Sequence, residues 1–397
     1  LKNLLFITWD SDQTNYLESL FFPIFSKLQE TERIKVFVAQ YSWAKNEEVA
    51  RIKKLAEAKH LTYFHFQVSR FPIPTLGVII AVLKSSFQLT RLIFYNKIDV
   101  LMPRSTMPAL MLNRIYGWIK AHNLKVIFDA DGFPIQERVD FAGLNTDSFQ
   151  YRHLQKQEKL MLDHAHVIFT RSKQAIDKHL KTHPNLNPKK FFCVSNGRDE
   201  CLFQINDQRR REKRAELGFD AQDFVWVYTG SLGKAYAWEQ LMELADFFIS
   251  KGENVKLLIL TRNAAFIQDK IPVGLSTRIK VIQTEFSKIP EYLNAGDLGI
   301  NLRLPAPSLC GLFPVKLGEY LLTGLPVLAS VQIGDTASWI SERKEVIGVD
   351  LTVGDFKEKT YRLWSELGAF DKQELRQWAV SRFGLEAAVS DYLKGLE

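Results

Sequence analysis

Residues 223–250 read DFVWVYTGSLGKAYAWEQLMELADFFIS. The run Asp223–Thr229 is apolar without alternation, as expected of a short strand covered on both faces. Gly230 and Gly233 then break the run, and Trp238–Ser250 returns to helical periodicity. Leu241, Leu244, Ala245 and Phe248 fall on one face of that helix. Strand, glycine turn and helix make the unit from which parallel sheets with helices on both faces are built.

The same unit recurs in both directions. Upstream, Asn3–Trp9, Ile34–Ala39, Asp99–Met102, Lys125–Phe128, His166–Phe169 and Phe191–Val194 are strand candidates, with Leu61–Gln67 a weaker one. Downstream, Val255–Leu260, Arg278–Ile282, Asp297–Asn301 and Leu325–Ala329 follow. The pattern predicts an α/β protein of two doubly wound, Rossmann-like domains facing each other across a cleft. The polar segment Asn206–Arg214, with Arg209, Arg210 and Arg211 in a row, reads as a solvated helix start or linker. The expected division is residues 1–203, residues 204–375, and a helix over 376–397 returning to the first domain.

Composition narrows the classes. The 397 residues are 46% hydrophobic and 24% charged, the profile of a globular chain large enough for two or three domains. Cys193, Cys201 and Cys310 have no metal-type spacing, and their odd number suits a reducing compartment. The longest apolar run, Leu76–Leu83, contains Gly77 and stops at Lys84, so no membrane span is expected. The formal charge is +7, and residues 1–200 carry 28 Lys+Arg against 19 Asp+Glu, while residues 201–397 carry 24 against 26. The excess in the first half suits nucleic acid, an acidic substrate, an anionic membrane surface, or simply a basic soluble surface.

No G-x-G-x-x-G follows the first strand, which weakens a dinucleotide oxidoreductase, and there is no Walker loop and no G-x-S-x-G. Three other segments carry chemistry. Tyr228-Thr-Gly-Ser-Leu-Gly-Lys234 offers glycines through which backbone N–H groups approach an anion, a following helix start, and the charge of Lys234. The plain alternative is an ordinary strand-to-helix turn. Phe313-Pro-Val-Lys-Leu-Gly-Glu-Tyr-Leu-Leu-Thr-Gly-Leu-Pro-Val327 predicts a helix opened near Pro314 and ended at Gly324, with Lys316 and Glu319 on one face. A carboxylate at Glu319 suits the paired hydroxyls of a ribose, and an i, i+3 surface ion pair is the alternative. Ser195-Asn-Gly-Arg-Asp199, with Phe203 beyond, opens on a turn signal.

Taken in order, these segments resemble the GT-B glycosyltransferases, specifically glycosyltransferase family 4. Asn196, Gly197, Asp199 and Phe203 fit its Asn-Gly-x-Asp-x-x-x-Phe stretch. Gly230, Ser231 and Leu232 fit its strand-end turn, and Pro314–Val327 its Pro-x-Lys-Leu-x-Glu-Tyr-Leu stretch. Phe128-Asp-Ala-Asp-Gly132 with Glu137, and Glu158 followed by His164–Ser172, resemble its first-domain motifs.

The resemblance implies a retaining transfer of a sugar from a nucleotide-diphosphate donor of UDP or GDP type to a saccharide or lipid-linked acceptor. It implies that the second domain holds the donor. Glu319 would hold the ribose, and Gly230, Ser231, Gly233, Lys234 and Lys316 would meet the diphosphate. Arg262 would meet phosphate or base, and Phe286–Pro290 would border the base. Asp131 or Asp129 would orient or deprotonate the acceptor hydroxyl, and the alternative is that both only cap the segment that follows. With cations serving the leaving group, no cofactor or metal is required, and a metal at the Asp129-Ala-Asp131 pattern is the minority reading.

The same resemblance points to bacterial cell-surface polysaccharide synthesis (capsule, lipopolysaccharide or exopolysaccharide) in the cytoplasm, with the basic first half on the inner membrane face and no nucleic-acid partner. A transferase acting on a small soluble or protein acceptor, and a non-catalytic scaffold binding nucleotide or glycan, stay open. The chain departs from the family where Gly311 replaces the first Glu of E-x₇-E, and where Gln13, Thr14 and Asn15 replace the glycines of the first-strand loop.

Overall fold

The computed structural model describes residues 1–12, 15–71 and 73–396, Gln268 by its backbone alone. Gln13 and Thr14 of the first-strand loop lie outside the described residues. The chain divides into two units, Leu1–Asn196 with Ala388–Glu397, and Gly197–Ala387.

The first unit holds seven parallel strands: β1 (Lys2–Asp10), β2 (Ile34–Ser42), β3 (Thr62–Gln67), β4 (Val100–Pro103), β5 (Lys125–Asp129), β6 (Val167–Thr170) and β7 (Phe191–Cys193). Their order is β3-β2-β1-β4-β5-β6-β7. The second unit holds six: β8 (Phe224–Thr229), β9 (Val255–Leu260), β10 (Ile279–Ile282), β11 (Leu298–Asn301), β12 (Val327–Ser330) and β13 (Val346–Val349), in the order β10-β9-β8-β11-β12-β13. Both sheets reverse direction once, between β1 and β4 and between β8 and β11. Ligands of doubly wound sheets sit at such a switch point, outside the carboxyl ends of the strands.

The unbroken apolar runs have a direct cause in the second sheet. Trp226 and Tyr228 of β8 enter one core with Leu257, Ile259, Leu298 and Ile300. Their neighbours Val225 and Val227 enter another with Leu258, Leu260, Leu317 and Tyr320. With both faces covered, each large side chain withdrawn from water stabilises the fold by about 1.5–3 kcal/mol. The Trp238–Ser250 helix buries Leu241, Leu244, Ala245 and Phe248, the face its periodicity predicts.

Three sequence expectations change, and one of two open readings is decided. Phe203, placed at the end of the first domain, is buried in the second unit's core beside Leu217 and Phe383. Within the expected returning helix, residues 376–383 belong to a Lys372–Phe383 helix of the second unit, and only Ala388 onward joins the first. The arginine-rich segment is the helix start of its two readings and not the linker. Asn206 caps a helix, Asp207–Leu217, by accepting the Arg209 N–H at 2.8 Å, and Arg210 and Arg214 reach Asp297 at 2.5 and 3.1 Å. Finally, Pro74–Tyr95 is one 22-residue helix, long and apolar enough to cross a membrane by length and composition. Lys84 ended the apolar run on paper, yet it and Arg91 are the only charges in the helix.

Candidate functional site

The second sheet's switch point is built by the loops leaving β8 and β11. Gly230 follows β8 at φ +105°, and its N–H donates to the Leu260 carbonyl at 2.8 Å. A side chain there would be strained and also obstructed. A Cβ on Gly230 would lie 2.7 Å from Lys316 Cε and 2.9 Å from its Nζ. Lys316 is thus folded over the glycine loop, from the first turn of the Val315–Leu322 helix that Pro314 opens. Its Nζ donates to Tyr228 Oη at 3.2 Å and sits 4.3 and 4.6 Å from the ring centres of Tyr228 and Tyr236. Tyr228 Oη donates in turn to the Ser231 carbonyl at 2.6 Å.

Arg303, two residues past β11, bridges Tyr236 in antiparallel fashion and holds its guanidinium 5.0 Å from that ring centre. Burial, and then the charge of Arg303, push the Lys316 ammonium down to about 7, with Glu319 opposing. A group this near neutrality gains charge when an anion arrives, because opposite charge favours the ionised form.

The remaining predicted donor residues divide. Gly233 has open space at its Cβ position, and Ser231 and Lys234 are exposed in a loop of the same turn. The expected helix start is not there, since the helix begins only at Trp238, so Lys234 stands away from the positive end of that helix. Arg262 is exposed at the exit of β9, where its neighbour Asn263 donates to the Leu232 carbonyl at 3.3 Å.

Glu319 is buried and answers a different group than expected. Arg198 Nε donates to its Oε1 at 2.8 Å, and Arg198 Nη2 joins the same oxygen. The guanidinium also lies 5.1 Å from the Phe286 ring centre. The carboxylate is thus paired with a buried arginine. Arg198 stands inside the Asn-Gly-Arg-Asp stretch, so its position was visible in sequence, although its partner 121 residues away was not. Gly311 closes a short turn, Leu309–Gly311, and is buried. Tyr236 carries no motif, and neither it nor Arg303 stands among the expected site residues.

The first sheet's switch point is a carboxylate cluster. Asp10 ends β1, Arg104 follows β4, and Asp129 ends β5. Asp129 is fully buried, and Arg171 Nη2 donates to its two oxygens at 2.8 and 2.6 Å. Arg171 also donates to Tyr392 Oη at 3.3 Å. Asp131 adopts φ +51°, a region Asp tolerates better than most residues. Its Oδ2 accepts from Arg104 Nη2 at 2.5 Å, and Arg171 Nε lies 3.5 Å from its Oδ1. Asp10 accepts from Gln40 Nε2 at 2.9 Å and Thr8 Oγ1 at 3.1 Å, with Arg104 Nη1 3.8 Å away.

Burial raises both Asp10 and Asp129 above the usual carboxylate range, while Arg104 and Arg171 pull the other way. Of the two predicted acids, Asp129 is sealed in its ion pair, and Asp131, with a quarter of its side chain exposed, is the one open to solvent. Among the described residues no cluster of three His, Cys, Asp or Glu has the geometry to hold a metal ion.

No protein-family model matches the chain, and no curated protein does either. Solved structures do. The HepE protein (Alr3699) of Anabaena, solved with UDP, is 17% identical with a TM-score of 0.70, covering 100% of this chain and 99% of its own. A glycosyltransferase from Rickettsia africae ESF-5 is 13% identical with a TM-score of 0.72, covering 99% and 97%. A UDP-GlcNAc 2-epimerase from Neisseria meningitidis, bound to UDP-GlcNAc, is 12% identical with a TM-score of 0.62, covering 99% of both chains. The two parallel α/β sheets thus belong to the GT-B type of fold along the whole chain.

Proposed function

We propose that this protein is a glycosyltransferase that moves a sugar from a nucleotide-diphosphate sugar to a hydroxyl acceptor. The observation that carries the reading is Lys316 folded over Gly230 at the switch point of the second sheet, with Arg303 beside it. The fold alone does not decide the chemistry, because transferases and an epimerase share it.

Breaking the anomeric carbon–oxygen bond leaves negative charge on the departing diphosphate, and preorganised donors aimed at that charge are the main source of catalysis in such a step. In this chain the donors would be the N–H groups around Gly230, Ser231 and Gly233, the Lys316 ammonium, and Arg303, with Arg262 and Lys234 at the rim. Glu319 would act on the nucleoside through Arg198 and Phe286 as much as by direct contact. In the first unit, Asp131 would orient the acceptor hydroxyl and take its proton as the new glycosidic bond forms. Retention of configuration, membership of family 4, a UDP or GDP donor, and a saccharide or lipid-linked acceptor complete the proposal. So does a place in bacterial surface polysaccharide assembly on the inner membrane face.

A second reading, a scaffold that binds nucleotide or glycan without transfer, is favoured by one observation. No carboxylate occurs between Leu298 and Gly318, where Gly311 takes the place of the acid. Calorimetry with UDP, GDP and UDP-glucose, followed by assay of donor hydrolysis, separates the two. Nucleotide binding with turnover supports the enzyme, binding without turnover the scaffold, and absence of binding overturns the enzyme and leaves the scaffold only a glycan to hold.

A further inference from the structure

The Pro74–Tyr95 helix shows two apolar faces. One is packed in the first unit's core, through Ala81, Val82, Leu89, Leu92 and Ile93. Gly77 locks its start, since a Cβ there would lie 1.7 Å from the Ser69 carbonyl oxygen. The other face carries Leu76, Ile79, Ile80, Leu83, Phe87 and Phe94, all exposed, with Phe87 at 70% and Phe94 at 73%. Their spacing of three, four and seven places them on a single stripe. Phe71 and Ile73, just before the helix, and Tyr95 at its end extend the stripe in both directions. A contiguous apolar surface of this kind marks an interaction site.

Charge identifies the occupant. From Ala58 to Ile98 there is no Asp or Glu, while Lys59, Arg70, Lys84, Arg91 and Lys97 are all present. Lys84 and Arg91 are exposed on the helix itself, and the Arg91 guanidinium lies 5.4 Å from the Tyr95 ring centre. Apolar side chains flanked by aromatic rings and cations, with no anion among them, complement the acyl boundary and phosphates of an anionic bilayer. A protein partner of ordinary surface composition gives no reason for forty-one residues without an acid.

We propose that this face docks the protein on an anionic membrane. The helix lies in the interface with Leu76, Ile80, Leu83 and Phe87 inserted and Lys84 and Arg91 at phosphate level. It does not span the bilayer, because its opposite face is held in the core. The inference rests on the membrane clause of the proposed function only, and vesicle binding is read without donor or acceptor.

The test is co-sedimentation of the full chain with vesicles of phosphatidylcholine alone and of equal parts phosphatidylcholine and phosphatidylglycerol. Binding is expected to the anionic vesicles, reversed by an alkaline carbonate wash. Combined Ile80→Gln, Leu83→Gln and Phe87→Gln should weaken it about a hundredfold, and Lys84→Glu with Arg91→Glu at least about tenfold. These residues are exposed, so the unfolding midpoint should hold; if the triple variant misfolds, the charge pair decides. Equal binding to both vesicle types, indifference to the substitutions, or retention after carbonate would overturn the proposal. So would a dimer in dilute solution that the triple variant makes monomeric, which would assign the face to a second copy of the chain.

Discussion

The two switch points occupy the same place in two similar sheets, yet their charges are answered in opposite ways. In the first, three carboxylates meet two guanidinium groups, and Asp129 with Arg171 is closed to water. In the second, Lys316 faces tyrosine rings, a hydroxyl and a glycine loop, and the local carboxylate, Glu319, is taken by Arg198. A site that neutralises itself holds a shape. A site whose lysine rests on aromatic faces gains charge when an anion arrives.

The largest expected effect tests the closed half of this contrast. Arg171→Ala leaves Asp129 buried without its counter-ion and should cost about 3–5 kcal/mol in denaturant unfolding. A loss below 1 kcal/mol would show that the pair is not sealed. Lys316→Ala tests the open half. Removing one charge-assisted donor should weaken UDP binding by about 1.5–3 kcal/mol, with stability little changed. Unchanged affinity by calorimetry would break the comparison.

The acidity of Lys316 sharpens it. The ammonium is charged below about 7 and neutral above, and a diphosphate favours the charged form. UDP affinity should therefore be highest on the acid side and fall by up to about tenfold per pH unit above neutrality. Binding at pH 7 should take up protons, seen as a dependence of the calorimetric heat on buffer. Lys316→Arg should remove both signatures.

Asp131→Asn keeps a residue suited to positive φ, so stability should move by less than about 1 kcal/mol. Transfer should nevertheless fall more than nucleotide affinity. The smallest effect is expected from Lys234→Ala, about twofold on nucleotide binding, because exposed charges are screened. A larger loss would move Lys234 from the rim into the site.

Sequence legibility followed the range over which each signal acts. Twelve of the thirteen strands among the described residues lie on predicted apolar runs. The thirteenth, Val346–Val349, lies on none of them. The glycine turn and the helix after Pro314 were legible because local chemistry sets them. The partners of the predicted residues were not. Arg198 with Glu319, Lys316 with Tyr236, and Arg104 with Asp131 are joined by topology, and no spacing encodes such distances. The exposed side of the Pro74–Tyr95 helix was hidden for another reason: Lys84 closes the apolar run, and which side of a helix stays uncovered is set by its neighbours.

The helix that carries the chain back to the first unit has a consequence for biosynthesis. Tyr392 packs on Phe25 and Phe169, Gly395 sits against Phe169, and the Leu396 carbonyl accepts from Lys2 and Lys125. The first unit is therefore written in two pieces, separated by the whole of the second. On a ribosome, its sheet would emerge early and wait with a seam open while the second unit is translated. Only the residues from Ala388 onward would close that seam, so a nascent chain stopped before them should expose its defect in the half made first.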